Sequence, residues 1–502
     1  MGLRGTGART PGFDYDVVVI GSGFGGSVAA LRLVEKGYRV AVVEAGRRFK
    51  DEDFAKTSWE TKKFLWAPAL GCYGIQRLNL LPNLLVMAGA GVGGGSLVYA
   101  NTLYEPQTDA FYKDKQWSHI TDWRDELAPY YDQAKRMLGV VENPVRTPAD
   151  DVMEKVATDM GVGDTFHPTP VGVFFGGPGA DPDEKVADPF FGGAGPDRNP
   201  CRNCGECMSG CRHNAKNTLV KNYLYLAEKN GAKVMPLTTV TRVSPRDGGG
   251  YDVAVKFTKA RRATARTTRT LTAEHVIFAA ASLGTQKLLH RMKDEGHLPG
   301  LSDRLGYLSR TNSESILGAI APSSDTTDYS YGVAITSSFH PDADPHIEPV
   351  RYGKGFNTMA LMQTVLTDGG VPAHRVIIGH SCGTTDTGYH AGIAERGSYL
   401  GFDRFGIGAL MPDVERVASL ARLLDRGVGD RVVVSHDSVW CWQGEPFPAR
   451  SMDRLGELFD PTRFDREIIP MLLEAGVDDS EIEALVVDNP RRFFTGDLLP
   501  VG

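Results

Sequence analysis

Positive charge is scarce in this chain of 502 residues: 55 Lys and Arg stand against 62 Asp and Glu, for a net charge of −7. That balance removes the electrostatic footprint of a nucleic-acid-binding protein. The densest basic stretch, Lys256 to Arg269 (KFTKARRATARTTR), alternates with threonine beside the strand-like YDVAVKF and reads as a solvated hairpin. Long apolar runs are scarce too. Leu78 to Tyr104 carries no charge, but Pro82, Asn83 and five glycines interrupt it, so a membrane span is the poorer reading. The opening MGLRGTGARTPGF has basic residues and no apolar stretch behind them. It is expected to be a flexible arm rather than a secretory signal, in a cytoplasmic protein. No internal repeat or low-complexity tract is found. What remains, 41% hydrophobic and 23% charged, is an ordinary globular composition with room for two or three domains.

The most informative stretch that is present runs from Tyr15 to Gly46, YDVVVIGSGFGGSVAALRLVEKGYRVAVVEAG. An apolar strand, a glycine turn, an amphipathic helix and a second strand ending in an acid follow one another, the order of a dinucleotide-binding βαβ unit in an α/β fold. Gly21 allows the tight turn, Gly23 lets backbone approach a pyrophosphate, and Gly26 lets the helix start close to the sheet, where its free N–H groups attract phosphate. Glu44 closes the second strand, where a carboxylate can accept both hydroxyls of a ribose. A second glycine cluster, Gly89 to Ser96 (GAGVGGGS), is followed by LVYANTLYEP. A nicotinamide enzyme needs one glycine turn, whereas a flavin enzyme must also hold an isoalloxazine ring and its ribityl chain against bare backbone.

With these clusters the chain resembles the glucose-methanol-choline (GMC) oxidoreductases, and within them the bacterial cholesterol oxidase-like branch. The matching stretches are DYDVVVIGSGFGGSVAA, MAGAGVGGGSLVYAN, HVIFAAASLGTQKLL, LGYLSRTNSE and ITSSFHPDADPHIEPVRYGKG, and the likeness covers about residues 12 to 367. It implies FAD on Gly21, Gly23, Gly26 and Glu44, with Gly94, Ser96 and Asn101 near the flavin ring. Ala281 departs from the family pattern, which has a glycine there. The resemblance also implies a catalytic His in a context like GHPLGG, then a strand like VVDGSVMP, and neither occurs here. The His takes the alcohol proton while the carbinol hydride moves to flavin. Glu348 and His346 in HIEPVRYG are the remaining polar candidates; a strand-end salt bridge and a surface histidine are the alternative for them.

Four of the seven cysteines fall in CRNCGECMSGC as Cys201, Cys204, Cys207 and Cys211, the C-x2-C-x2-C-x3-C spacing of a bacterial ferredoxin cluster. An iron–sulfur cluster, a zinc site and a reduced structural loop all stay open, since no proline follows Cys211. Cys72, Cys382 and Cys441 are isolated and read as small buried apolar residues.

After Thr367 the chain changes character. VPAHRVIIGHSCGTTDTGYHAGIAERGSYLGFDRFG, RVVVSHDSVWCWQGEPFP and IIPMLLEAGVDDSEIEALVVDNPRRFF repeat a buried strand followed by an amphipathic helix, the rhythm of a barrel enzyme. This part resembles the last three βα units of phosphotriesterase-like metal hydrolases. The resemblance implies His380 and Asp437 as metal ligands and Arg404 as a substrate contact. That family also needs an HxH pair, and among the 12 histidines no two are separated by one residue. Two ligands cannot hold a two-metal site, and three βα units cannot close an eight-stranded barrel.

The expected architecture is therefore α/β, α+β overall. A Rossmann-like FAD-binding domain with a substrate or cap region occupies residues 1–367, and an incomplete (β/α) barrel fragment occupies 368–502. The splice falls near Thr364 to Gly370. The function read from this is an FAD-dependent oxidoreductase acting on the CH–OH group of an alcohol or sterol, impaired by the missing segment. The alternatives are a zinc-dependent ester or lactone hydrolase and an inactive fusion of the two. Peripheral membrane contact to reach a sterol, and oligomerisation through unpaired barrel strands, stay open.

Overall fold

The computed structural model describes residues 12–81, 84–260, 264–310, 312, 314, 326–342, 345–356, 373–379, 381–406, 411–435, 441–442, 445–446 and 462–496. The chain divides into two units, residues 1–309 with 328–357, and residues 310–327 with 358–502.

The first unit is built on a six-stranded sheet. Tyr15–Ile20 (β1) leads into the helix Phe24–Val34 (α1), which returns to Val40–Val43 (β2), parallel to β1 with Val17 opposite Val40. The unbroken apolar run in β1 reflects burial on both faces. Val17 and Val19 pack with Ala30, Leu31 and Val34 of α1, while Val18 and Ile20 face Val253, Leu271 and Met292 on the other side. The hairpin Gln76–Leu81 (β3) with Leu84–Gly89 (β4) occupies the uncharged run, so that segment is antiparallel strand. Among the described residues no helix is long and apolar enough to cross a membrane.

The sheet is completed by Lys233–Met235 (β5), Thr238–Pro245 (β6), Tyr251–Phe257 (β7) and Thr268–Phe278 (β8), in the order β5-β2-β1-β8-β7-β6. Strands β5, β2, β1 and β8 run parallel, and β6, β7 and β8 form an antiparallel meander. Lys256 pairs with Thr268, so the basic stretch does sit in a hairpin; residues 261–263 lie outside the described residues.

The sheet's carboxyl end forces close backbone packing. Gly21 has φ +103°, and a Cβ there would lie 2.3 Å from the Ala279 carbonyl oxygen. At Gly26 a Cβ would lie 2.0 Å from the Gly21 carbonyl oxygen, which is why α1 can start this close to β1. Just beyond β8, Ala281 takes φ +57°, a left-handed conformation that explains why the resembling family places glycine at this point.

The second unit contains a separate parallel sheet resembling part of a barrel. Ile377–Ile378 (β9), Tyr399–Phe402 (β10) and Val432–Val434 (β11) pair in that order, within RVIIG, SYLGF and RVVVS, whereas IIPMLLEAGVDDSEIEALVVDNPRRFF holds helices and no strand among the described residues. Helices Thr387–Glu395 (α2) and Asp413–Asp425 (α3) lie between them in the chain. Leu400, Phe402, Val417, Leu420, Ile468 and Leu472 belong to this unit's own core. Among the described residues β9 and β11 each pair only with β10, and no barrel closes. His380, Asp437 and the junction 364–370 lie outside the described residues. Arg404 follows β10 by two residues.

Two stability measurements test this packing. Ala281→Gly should raise the unfolding free energy by roughly 1 kcal/mol, seen as a higher urea midpoint, because it removes the left-handed penalty of a Cβ. Gly26→Ala should lower stability by about 1–3 kcal/mol through overpacking. Gly25→Ala, where no atom lies within 4 Å of the added carbon, should leave stability unchanged or raise it by about 0.5–1 kcal/mol.

Candidate functional site

The two glycine clusters meet. Gly94, at φ +53°, lies so close to Gly23 that a Cβ on it would stand 2.7 Å from the Gly23 Cα. Gly23 caps α1 with no side-chain hydrogen bond, so the first N–H groups of the helix are left to be satisfied from outside the helix. Behind them Glu44 is buried, with one carboxylate oxygen accepting from the Ser22 N–H (3.1 Å) and hydroxyl (2.7 Å) and the other from the Gly46 N–H (2.8 Å). The Ser22 hydroxyl also accepts from the Gly93 N–H at 3.1 Å, tying Glu44 to the second cluster. Bare backbone on two sides, an uncapped helix start and a buried carboxylate are what a flavin dinucleotide requires of its binder, so these residues fit FAD. Ser96 plays an inward part. Its hydroxyl donates to the Gly93 carbonyl (2.7 Å) and accepts from the Leu219 N–H (3.0 Å).

Asn101 faces a different space. At φ +74° it is fully buried, its side chain reaches the Cys207 sulfur, and it lines a cavity shared with all four clustered cysteines. Those cysteines are free thiols. Burial pushes the Cys204 thiol up to about 12 and Cys201 well above its ordinary value. It also raises Cys207, against the pull of the Lys216 ammonium beside it. Lys216 is itself buried and donates to the carbonyls of Leu97 (3.1 Å), Tyr99 (2.8 Å) and Cys207 (2.8 Å); burial draws its pKa down to about 7.

The metal-binding donor atoms that converge here differ from the four thiols of the motif. Cys204, Glu206 and His213 bring one sulfur, one carboxylate oxygen and one imidazole nitrogen within 4.8 Å of one another. Burial lowers the His213 pKa, which favours neutral imidazole. Glu206 and His213 were not read from the sequence as donors, although both stand inside or directly after CRNCGECMSGC, where a mixed-ligand reading would have found them.

His346 and Glu348 do come together, with Nε2 and Oε1 3.6 Å apart; the carboxylate side chain is 17% exposed and the imidazole 41%. The Tyr104 ring lies 5.4 Å from His346, His340 lies 5.8 Å from it, and His167 stacks on His340 at 5.9 Å. Burial raises the Tyr104 hydroxyl and lowers His340, whose Nε2 hydrogen-bonds the Gln107 amide oxygen at 2.7 Å. These partners arrive from distant segments: Ser337–Ser338 pairs with His167–Pro168, and Phe339 bridges Ile347. Nothing local in the sequence marks Tyr104, His167 and His340 as one ring cluster with His346.

Residues 16–55 match the FAD binding domain family, 194–292 the GMC oxidoreductase family and 343–494 the phosphotriesterase family. The cholesterol oxidase of Mycobacterium tuberculosis is 62% identical over 364 residues, 72% of this chain and 62% of that protein. The cholesterol oxidase of Acinetobacter baumannii is 47% identical over 367 residues, 71% of this chain and 64% of that protein. A phosphotriesterase homology protein of Mycobacterium tuberculosis is 36% identical over 132 residues, 26% of this chain and 40% of that protein. The chain thus spans just under two thirds of the cholesterol oxidases it matches. It joins an N-terminal GMC-type FAD-oxidoreductase region, cholesterol-oxidase-like, to a C-terminal phosphotriesterase-like region.

Proposed function

We propose that this chain is an FAD-dependent oxidoreductase acting on the CH–OH group of a sterol or related alcohol, with turnover impaired because the family's GHPLGG-type segment does not occur in it. The observation that carries the reading is the convergence of both glycine clusters on the uncapped start of α1, with Glu44 buried behind them. In this reading the first unit's parallel strands are a Rossmann-like FAD domain, the domain border lies at 367/368, and the second unit's sheet is an incomplete (β/α) barrel. Gly21, Gly23, Gly26 and Gly94 would hold FAD, with Glu44 on its ribose and Ser96 and Asn101 bracing the segment next to the ring. When bound, FAD supplies the acceptor for the carbinol hydride.

The chain's own groups have the proton to move. Glu348, largely withdrawn from water and 3.6 Å from His346, would accept it from the alcohol, with the imidazole as its outlet to solvent. The β3–β4 hairpin, apolar beyond Arg77 and with Leu81 exposed, supports peripheral contact with lipid, from which a sterol would be drawn. The net charge of −7 supports no nucleic-acid partner, and a cytoplasmic location is retained on the composition alone. Among the described residues β9 and β11 each pair on one side only, which favours oligomerisation. An iron–sulfur cluster has the cysteine spacing in its favour and nothing further.

A second reading, a zinc-dependent ester or lactone hydrolase, has the phosphotriesterase match over residues 343–494 and the parallel strands of the second unit. It would place zinc on His380 and Asp437 and substrate on Arg404.

Flavin absorbance of the purified chain, together with steroid and lactone turnover with and without added zinc, separates the readings. The expected result is stoichiometric flavin, slow steroid oxidation and no hydrolysis. Glu44→Ala should weaken flavin retention, whereas Glu348→Gln should leave flavin in place and cut the residual kcat by about 10²–10⁴-fold. A colourless protein that hydrolyses lactones would reverse the assignment, and steroid turnover indifferent to Glu348→Gln would remove Glu348 from it.

A further inference from the structure

We propose that Cys204, Glu206 and His213 form a mononuclear site for a borderline-soft divalent cation, zinc being the ion their donor chemistry selects. The first ground is convergence: a thiol, a carboxylate and an imidazole lie within 4.8 Å of one another, so small side-chain rotations bring all three onto one ion. Sulfur and imidazole donors favour zinc over magnesium or calcium, which prefer oxygen.

The second ground is that the backbone carrying these donors is held in place. Gly205 adopts φ +71°, and its N–H donates to the Gly332 carbonyl at 2.8 Å, while the Gly332 N–H donates to the Asn203 carbonyl at 2.8 Å. On the other side Gly353 packs so tightly that a Cβ would stand 2.4 Å from Glu206 Cγ. The carboxylate is oriented as well: one Arg212 nitrogen lies 2.7 Å from both of its oxygens, leaving further lone pairs for a cation.

The third ground is independent of the donors. The buried Asn101 amide lines the same cavity and, beyond its contact with Cys207, offers a polar contact for a water in the fourth coordination position. Binding involves no redox change. The Cys204 thiol proton is released to solvent, and thiolate and carboxylate together balance the charge of the ion. The site stands apart from the flavin reading and does not depend on it.

The test is metal and acid-labile sulfide analysis of the full chain, followed by cobalt titration of the metal-free protein. The expected result is one zinc per chain without sulfide. Cobalt should give thiolate-to-metal charge transfer in the near ultraviolet and tetrahedral bands in the visible. His213→Gln and Cys204→Ser should each lower cobalt affinity by at least about 100-fold, the upper end of what outer-sphere partners alone contribute. Cys211→Ser should retain the ion. His213 is partly exposed and tolerates substitution, so His213→Gln and the wild-type spectrum decide the matter even where Cys204→Ser fails to fold. Iron with labile sulfide, lost on replacing any of the four cysteines, would overturn the proposal in favour of a cluster. A folded wild type that gives no cobalt–thiolate band, or unchanged affinity in His213→Gln, would overturn it outright.

Discussion

One buried ammonium group holds both candidate sites of the first unit in place. Taking a lysine charge out of water costs several kcal/mol, and the cost is offset only when every proton finds an acceptor. Lys216 achieves this with the carbonyls of Leu97, Tyr99 and Cys207, the first two just after the second glycine cluster and the third inside the cysteine loop. The residues around it extend the strut. Leu219 donates to Ser96, Asn217 donates to the carbonyls of Leu138 and Gly139, and the buried Arg198 guanidinium donates to the carbonyls of Ala215 and Lys216. Glycine-rich backbone has little rigidity of its own. Here it is fixed by a stretch a hundred residues further along the chain, and the same stretch fixes the thiol-lined cavity.

How much of this the sequence reveals depends on how local each cause is. The βαβ unit is legible because strand, turn and helix signals lie within one short window, and Gly21 and Gly26 are needed for contacts made inside or next to that window. The three apolar stretches of the second unit are legible for the same reason. Gly94 against Gly23 is legible only through family resemblance, since no spacing rule connects them. That Asn101 lines the cysteine cavity is set by folding across distant segments, which no spacing rule reveals. The His346–Glu348 pair is visible as a short motif, but its companions Tyr104, His167 and His340 come from three separate segments brought together by sheet pairing.

The cysteine loop is the case in which a strong pattern points away from the geometry. The C-x2-C-x2-C-x3-C spacing draws attention to four sulfurs, and all four do line one cavity. Yet Gly205 turns the chain so that Glu206, between the second and third cysteines, joins Cys204, and His213 completes the trio from just beyond the motif. Spacing predicts which residues can be neighbours, and backbone conformation decides which donor atoms converge.

The same distinction separates cofactor binding from turnover. In the proposed reading the dinucleotide cradle is made by contacts within the sheet and the two glycine clusters, all inside the first unit. In that reading proton handling needs groups from a later stretch of chain, and in this sequence the later stretch matches the phosphotriesterase family and has a core of its own. Glu348 and His346 lie in a segment that the first unit still holds, bridged through Phe339 and Ile347 and anchored by Arg351, whose guanidinium donates to the Tyr331 carbonyl and the Thr147 and Thr336 hydroxyls. In the proposed reading the junction therefore removes a proton-handling segment, while both glycine clusters, the cysteine-lined cavity and Glu348 all lie in the first unit.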